Sequence, residues 1–221
     1  MIKGVIFDFD GTLFNTNELI REGFKYTIKK ELNRDIDEQK LFEIWGKPLE
    51  VQMKAFSKKK YKTMIKTYRN YYFRHSDKID TFPGAVETVK TLKDNNYKVA
   101  ILTNKGKNGL IKGLKEFNLI DDLDCFLSRE DVKHHKPDPE GFIKIMNNTG
   151  LKSKELLMVG DSPSDIKGAQ NVGIKNILVS YTRYDFEVMK ALKPDYIIDD
   201  LSQVVEIINE EQPEEQLKNF I

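Results

Sequence analysis

One cysteine, Cys125, in 221 residues leaves no intramolecular disulfide and suits a reducing compartment. Its neighbours Asp124 and Phe126 fit a strand, so an inert buried thiol is expected there rather than a nucleophile. No apolar run approaches the ~18 residues needed to cross a bilayer. The apolar segment near the N-terminus is broken by Asp8 and Asp10, which a secretory leader would not carry. A cytoplasmic protein with no membrane association is therefore expected. Neither sign of charge prevails: 36 Lys and Arg stand against 35 Asp and Glu, which gives no drive toward nucleic acid. Internal repeats and low-complexity tracts are missing. The glycines at 106, 109 and 113 lack the spacing of a dinucleotide loop. A calcium loop beginning at Asp8 fails too, having no Gly at its sixth place and no Glu at its twelfth. His134 and His135 are adjacent, share no face, and make a poor metal pair.

What is present reads as a globular protein with ample core, 39% hydrophobic and 32% charged. From about Phe82 onward, short apolar runs alternate with amphipathic stretches. Residues 5–9, 98–103, 124–127, 156–160, 176–179 and 196–198 read as strands, apolar enough to be buried on both faces. Ala85, Val86, Val89 and Leu92 form one helical stripe, and Leu110, Ile111, Leu114 and Phe117 another. Residues 163–172 open on Pro163 and stop before Gly173, the expected helix punctuation. This alternation predicts an α/β fold, a doubly wound, Rossmann-like parallel sheet. Residues 15–78 differ, showing helical periodicity and no convincing strand. They read as a small α-helical domain inserted after the first strand, the α/β core being 1–14 and 79–221. Lys58-Lys59-Lys60 is expected to be a solvated helix face, and the acidic stretch 210–215 a solvated end.

The strand ends carry the chemistry. The first strand runs into Asp8-Phe9-Asp10-Gly11-Thr12, with two acids at i, i+2 whose side chains point the same way in an extended chain. At ~4 Å and an effective dielectric of ~20 they would repel by about 4 kcal/mol, which calls for a cation, a shared proton or a use. The second sheet strand ends at Thr103-Asn104-Lys105, and 156–160 ends at Asp161-Ser162-Pro163-Ser164-Asp165. Lys136 lies in a Pro-rich loop just ahead of a helix. Ligands of open α/β sheets bind outside the carboxyl ends of the strands, so these groups are expected to converge. Carboxylates Asp8 and Asp161 with a backbone carbonyl suit a hard ion such as Mg2+. Thr103 and Lys136 suit phosphate oxygens, and the loop N–H groups after the first strand an anion. Positioning and charge neutralisation are what phosphoryl transfer requires.

In this order the motifs resemble the four of the haloacid dehalogenase superfamily: Asp8-Phe9-Asp10-Gly11-Thr12, Thr103-Asn104, Lys136-Pro137 and 160–165. The helical insert is similar to that superfamily's first-type cap. Phe82-Pro83-Gly84-Ala85 and Lys136-Pro137-Asp138-Pro139 resemble its phosphoglycolate phosphatase and pyrophosphatase branch. The resemblance implies an Mg2+-dependent hydrolase acting through an aspartyl-phosphate. Asp8 would be nucleophile and metal ligand. Asp10 would be general acid and then base, lending its backbone carbonyl to the metal. Thr103, Asn104 and Lys136 would bind the phosphoryl group, Asp161 would complete the metal shell, and Asp165 would act behind it or through water. An ordinary Asp is ionised at pH 7, so Asp8 is expected to need no base. The cap loop Trp45-Gly46-Lys47-Pro48-Leu49 supplies Trp45 and Lys47 as candidates for substrate choice. The expected partner is pyrophosphate or a small phosphorylated metabolite such as phosphoglycolate, and Asn15-Thr16-Asn17-Glu18 leans toward pyrophosphate by resemblance. A monomer or weak dimer is expected. Alternatives are a β-phosphoglucomutase-like mutase and, from another class, an aspartyl-phosphate signalling or binding domain without turnover. A receiver domain of that class would be about half this length, with its acceptor Asp on the third strand.

Overall fold

A computed structural model describes residues 1–211. The chain divides into two compact units, Asn15–Asp80 and a second made of Met1–Phe14 with the chain from Thr81 onward. In the second unit the strands are β1 (Gly4–Phe7), β4 (Lys98–Leu102), β5 (Cys125–Leu127), β6 (Leu156–Gly160), β7 (Lys175–Val179) and β8 (Tyr196–Ile198). Two further short strands, β2 (Phe14–Asn15) and β3 (Asp80–Thr81), form a separate two-stranded sheet. Two residues show no alternation, so neither was legible as a strand.

The six longer strands form one parallel sheet in the order β5-β4-β1-β6-β7-β8, the α/β architecture that the alternation predicts. Ile6, Leu102 and Met158 pack into one cluster with Phe142, Ile145 and Ala169. Their strand neighbours Val5, Phe7, Val99 and Ile101 are equally buried, so both faces of the sheet are covered. The helices of this unit are α5 (Ala85–Asp94), α6 (Lys107–Glu116), α7 (Glu140–Thr149), α8 (Pro163–Asn171), α9 (Phe186–Lys190) and α10 (Gln203–Glu210). In α5 the buried residues are Ala85, Thr88, Val89 and Leu92, one face at helical spacing. The direction of chain travel reverses across β1 and β6, whose carboxyl ends therefore face the crevice.

The other unit holds α1 (Asn17–Leu32), α2 (Glu38–Glu43), α3 (Leu49–Phe56) and α4 (Tyr61–Arg74) around buried Phe24, Ile28, Met53 and Met64. Phe24 packs on Tyr68 at 5.0 Å between ring centroids. Lys58, Lys59 and Lys60 are exposed as expected, but in the turn before α4 rather than on a helix face; Lys60 donates to the Glu31 carbonyl at 2.7 Å. Cys125 is half-buried and burial pushes its thiol pKa up, which leaves it inert. Glu211 pairs with Lys175 at 2.5 Å; residues 212–215 of the acidic stretch lie outside the described residues. No helix among the described residues is long and apolar enough to cross a membrane.

Candidate active site

The register of the sheet sets the site. Phe7 lies opposite Ile101 on one side and Val159 on the other, and the Asp8 N–H continues the ladder to the Val159 carbonyl at 2.9 Å. The chain segments leaving β1, β4 and β6 therefore bring Asp8, Thr103 and Asp161 to the same carboxyl end of the sheet. All three are buried, at 7%, 3% and 3% exposure. Asp8, Asp161 and Asp165 each place a carboxylate oxygen within 4.8 Å of the others.

Lys136 is the counter-charge. Its ammonium donates to Asp8 at 2.8 Å, to Asp165 at 2.5 Å and to the Leu102 carbonyl at 2.6 Å. Burial works against that charge, yet Asp165 and Asp8 more than offset it and raise the Lys136 pKa. One ammonium cannot neutralise three carboxylates. The remainder shows in the acids: burial, with help from Asp165, pushes Asp8 up to about 7, against the opposing pull of Lys136. Burial, then Asp165 and Asp8, pushes Asp161 well above the usual carboxylate range. Without a bound cation, Asp8 is therefore lifted from the ordinary Asp value that the sequence suggests. A buried cluster with surplus negative charge and hard oxygen donors fits a divalent cation of the Mg2+ kind.

The i, i+2 acids also behave differently from the extended-chain picture. Strand geometry ends at Phe7, Gly11 turns the chain with φ of 84°, and Asp10 finds its own lysine, with Lys105 Nζ 2.7 Å from its carboxylate. Among the acids acting on Asp8, Asp165 outweighs Asp10. The repulsion predicted between Asp8 and Asp10 is thus offset by a separate ammonium on each, Lys136 and Lys105.

Asp165 does two jobs. Its Oδ1 takes Lys136, and its Oδ2 accepts from Ser162 N–H at 3.0 Å and Ser162 Oγ at 2.6 Å, the capping box that starts α8. Both oxygens are engaged by protein, which places Asp165 behind Lys136. Thr103 Oγ1 accepts from the Lys105 N–H at 3.2 Å. Asn104 turns its amide to the Lys136 carbonyl at 3.4 Å, tying the second and third motifs together. Trp45 and Lys47 belong to the helical unit, on the turn between α2 and α3, with Lys47 exposed and Trp45 half-buried. On the surface His134, Asp138 and Glu140 approach one another, but Glu140 is occupied by the N–H groups of Lys133 and His134 and by Lys144.

Gly11 is required by its place. Its φ suits glycine, and a Cβ there would stand 2.4 Å from Asp161 Oδ2. Gly11→Ala is expected to destabilise the fold by about 1–3 kcal/mol, since alanine at positive φ loses more than it gains from a stiffer unfolded chain. Urea unfolding measures this, and an unchanged midpoint would show that the loop has another resting shape.

Residues 5–179 match the family model described as haloacid dehalogenase-like hydrolase. The chain belongs to that family. Among its relatives, the pyrophosphatase PpaX of Halalkalibacterium halodurans is 36% identical over 208 residues, covering 94% of this chain and 97% of its own. The pyrophosphatase PpaX of Bacillus mycoides is 35% identical over 209 residues, with 94% and 97% covered. A predicted phosphoglycolate phosphatase from Haemophilus somnus shares the fold with a TM-score of 0.86 at 24% identity, covering 94% of this chain and 98% of that one. The hydrolase brings its four motif segments together at the carboxyl ends of the strands, where the sequence pointed. Lys105 was missed, because a lysine after Thr-Asn reads from sequence as any surface lysine.

Proposed function

We propose that this hydrolase is an Mg2+-dependent phosphatase of small phosphate compounds, with inorganic pyrophosphate as the first candidate, acting through an aspartyl-phosphate on Asp8. The observation that carries the reading is the buried cluster of Asp8, Asp161 and Asp165 bridged by Lys136 at the carboxyl ends of β1 and β6. The names of relatives at 34–36% identity support pyrophosphate over phosphoglycolate, the other candidate. Asp8, Asp161 and the Asp10 backbone carbonyl would hold Mg2+, which would offset phosphate charge and favour the ionised form of Asp8.

Asp8 attacks phosphorus through a carboxylate oxygen. As the new O–P bond forms, the bond from phosphorus to the leaving oxygen breaks, and that oxygen takes the Asp10 proton. Water then attacks the phosphorus while Asp10 removes its proton. The Asp8–phosphorus bond breaks, releasing phosphate and restoring the carboxylate and the protonated acid. Thr103 and Lys136 hold the transferring oxygens, the hydroxyl by a neutral bond and the ammonium by a charge-assisted one. Asn104 contributes by fixing the Lys136 backbone. Trp45 and Lys47 are assigned to substrate choice, Lys47 as an exposed cation suited to a second anionic group.

The test is phosphate release with and without Mg2+ on pyrophosphate, phosphoglycolate, sugar phosphates and nucleotides. Mg2+-dependent release with pyrophosphate preferred supports the proposal. Preference for a sugar phosphate, with product retained as its isomer, would favour the mutase instead.

A further inference from the structure

Lys105 meets the acid of the reaction, not the nucleophile, and the fold is shaped around it. Its ammonium bonds to Asp10 at 2.7 Å with only 9% of the side chain exposed, and it lies over the Phe9 ring at 5.1 Å from the centroid. Phe9 is fully buried and stacks on Phe14 at 4.0 Å. Both groups press on one face of α6, where Gly109 and Gly113 stand one turn apart. A Cβ on Gly109 would come within 2.9 Å of Lys105 Cε, and one on Gly113 within 2.5 Å of Phe9 Cζ. Glycine weakens a helix interior, so a ten-residue helix with two of them on one face needs a packing reason. Here the bare face accommodates the lysine stem and the aromatic ring, and so directs the ammonium at Asp10.

We propose that Lys105 is a specificity residue for leaving groups that carry their own negative charge. The proposal rests on the phosphatase reading above. The Asp10 carboxyl must reach the leaving oxygen within hydrogen-bond distance, so an ammonium bonded to that carboxyl sits on the leaving-group side. Lys136 stands on Asp8, at the transferring phosphoryl group, whereas Lys105 stands on Asp10. An anionic leaving group, such as the second phosphate of pyrophosphate or the carboxylate of phosphoglycolate, offers the Lys105 ammonium a replacement partner as Asp10 turns to the leaving oxygen. A leaving group without such charge offers none, and the Asp10–Lys105 pair must then be broken uncompensated.

The experiment compares wild type, Lys105→Met, Lys105→Arg and Gly109→Ala in steady state with pyrophosphate and phosphoglycolate against p-nitrophenyl phosphate. Lys105→Met is expected to lower kcat/KM about a hundredfold for the first two, the effect of one charge-assisted contact, and less than about fivefold for the third. Lys105→Arg should recover most of the loss. Gly109→Ala, which displaces the lysine stem while improving helix propensity, should show a smaller selective loss with no drop in folded stability. Equal losses on both substrate types, or an arginine variant as impaired as the methionine one, would overturn the assignment. Calorimetric binding to the Asp8→Asn protein separates this from the parent reading, because it needs no turnover. Adding Lys105→Met there should weaken pyrophosphate at least about tenfold and leave orthophosphate within about twofold. If wild type releases no phosphate from any substrate, the phosphatase reading fails; the binding contrast still decides Lys105, and identical affinities would overturn it.

Discussion

Asp8→Asn is expected to lower kcat by at least about 10⁴-fold on every substrate and to leave the fold intact. The amide keeps an oxygen that accepts from Lys136, so the 2.8 Å contact has a replacement of the same shape. What would disappear is the proposed attacking anion, and Asp165 is not placed to stand in, being held by Lys136 and Ser162 through both oxygens. Stability should not fall in metal-free buffer at neutral pH. Burial and the charge of Asp165 raise the Asp8 pKa to about 7, above its unfolded value. A carboxylate with a raised folded pKa favours the unfolded chain increasingly as pH rises from about 4 to 7, and Asn removes that penalty. Thermal unfolding and phosphate release on one preparation check both halves. Turnover within tenfold of wild type would remove Asp8 from the nucleophile role.

Lys136→Met has the opposite balance, a loss of stability and activity together. Three charge-stabilised contacts vanish, and Asp8 and Asp165 are left facing each other without an ammonium. Removing one partner of a buried ionic group costs about 3–5 kcal/mol. The loss should be pH-dependent with a defined sign. With the ammonium gone, Asp8 loses the pull that opposes burial and the charge of Asp165, so its folded pKa rises further above the unfolded one. Stability of the variant therefore recovers as pH falls from 8 toward 5 and worsens as it rises, more steeply than in wild type, where Lys136 offsets part of the burial cost of Asp8. Urea midpoints at pH 5.5 and pH 8 measure this. At permissive pH, kcat/KM should remain about 10³-fold down, since a positive group at the transferring phosphate is missing. A variant as stable as wild type at pH 8 would mean that the acids are neutralised by another route.

The strands were legible because burial on both faces leaves short, wholly apolar runs; Leu156–Gly160 and Tyr196–Ile198 begin and end where the pattern does. The chemical residues were legible for a related reason. Such strands end abruptly, and Asp8, Thr103 and Asp161 stand at the break, where charge and hydroxyl groups have no business in the core. Spacing alone did not show what offsets the charge of Asp10, because Lys105 stands 95 residues away in sequence. Without a bound cation, burial and Asp165, over 150 residues away in sequence, lift Asp8 above its ordinary value, which the sequence alone did not show. Lys105 was illegible for want of context. The available signal was Gly109 and Gly113, four apart in a short amphipathic helix; read for packing rather than as a failed dinucleotide loop, they point to bulky groups crossing that helix face.

The central claim is a covalent phosphate on Asp8. Wild-type protein mixed with pyrophosphate and Mg2+, quenched in acid within the first turnover and reduced with borohydride, should yield a homoserine in place of Asp8 in the N-terminal peptide. The Asp8→Asn protein should give no reduced residue at all. A first-turnover burst of phosphate with position 8 unreduced, or with the modification at Asp10, Asp161 or Asp165, would contradict the account.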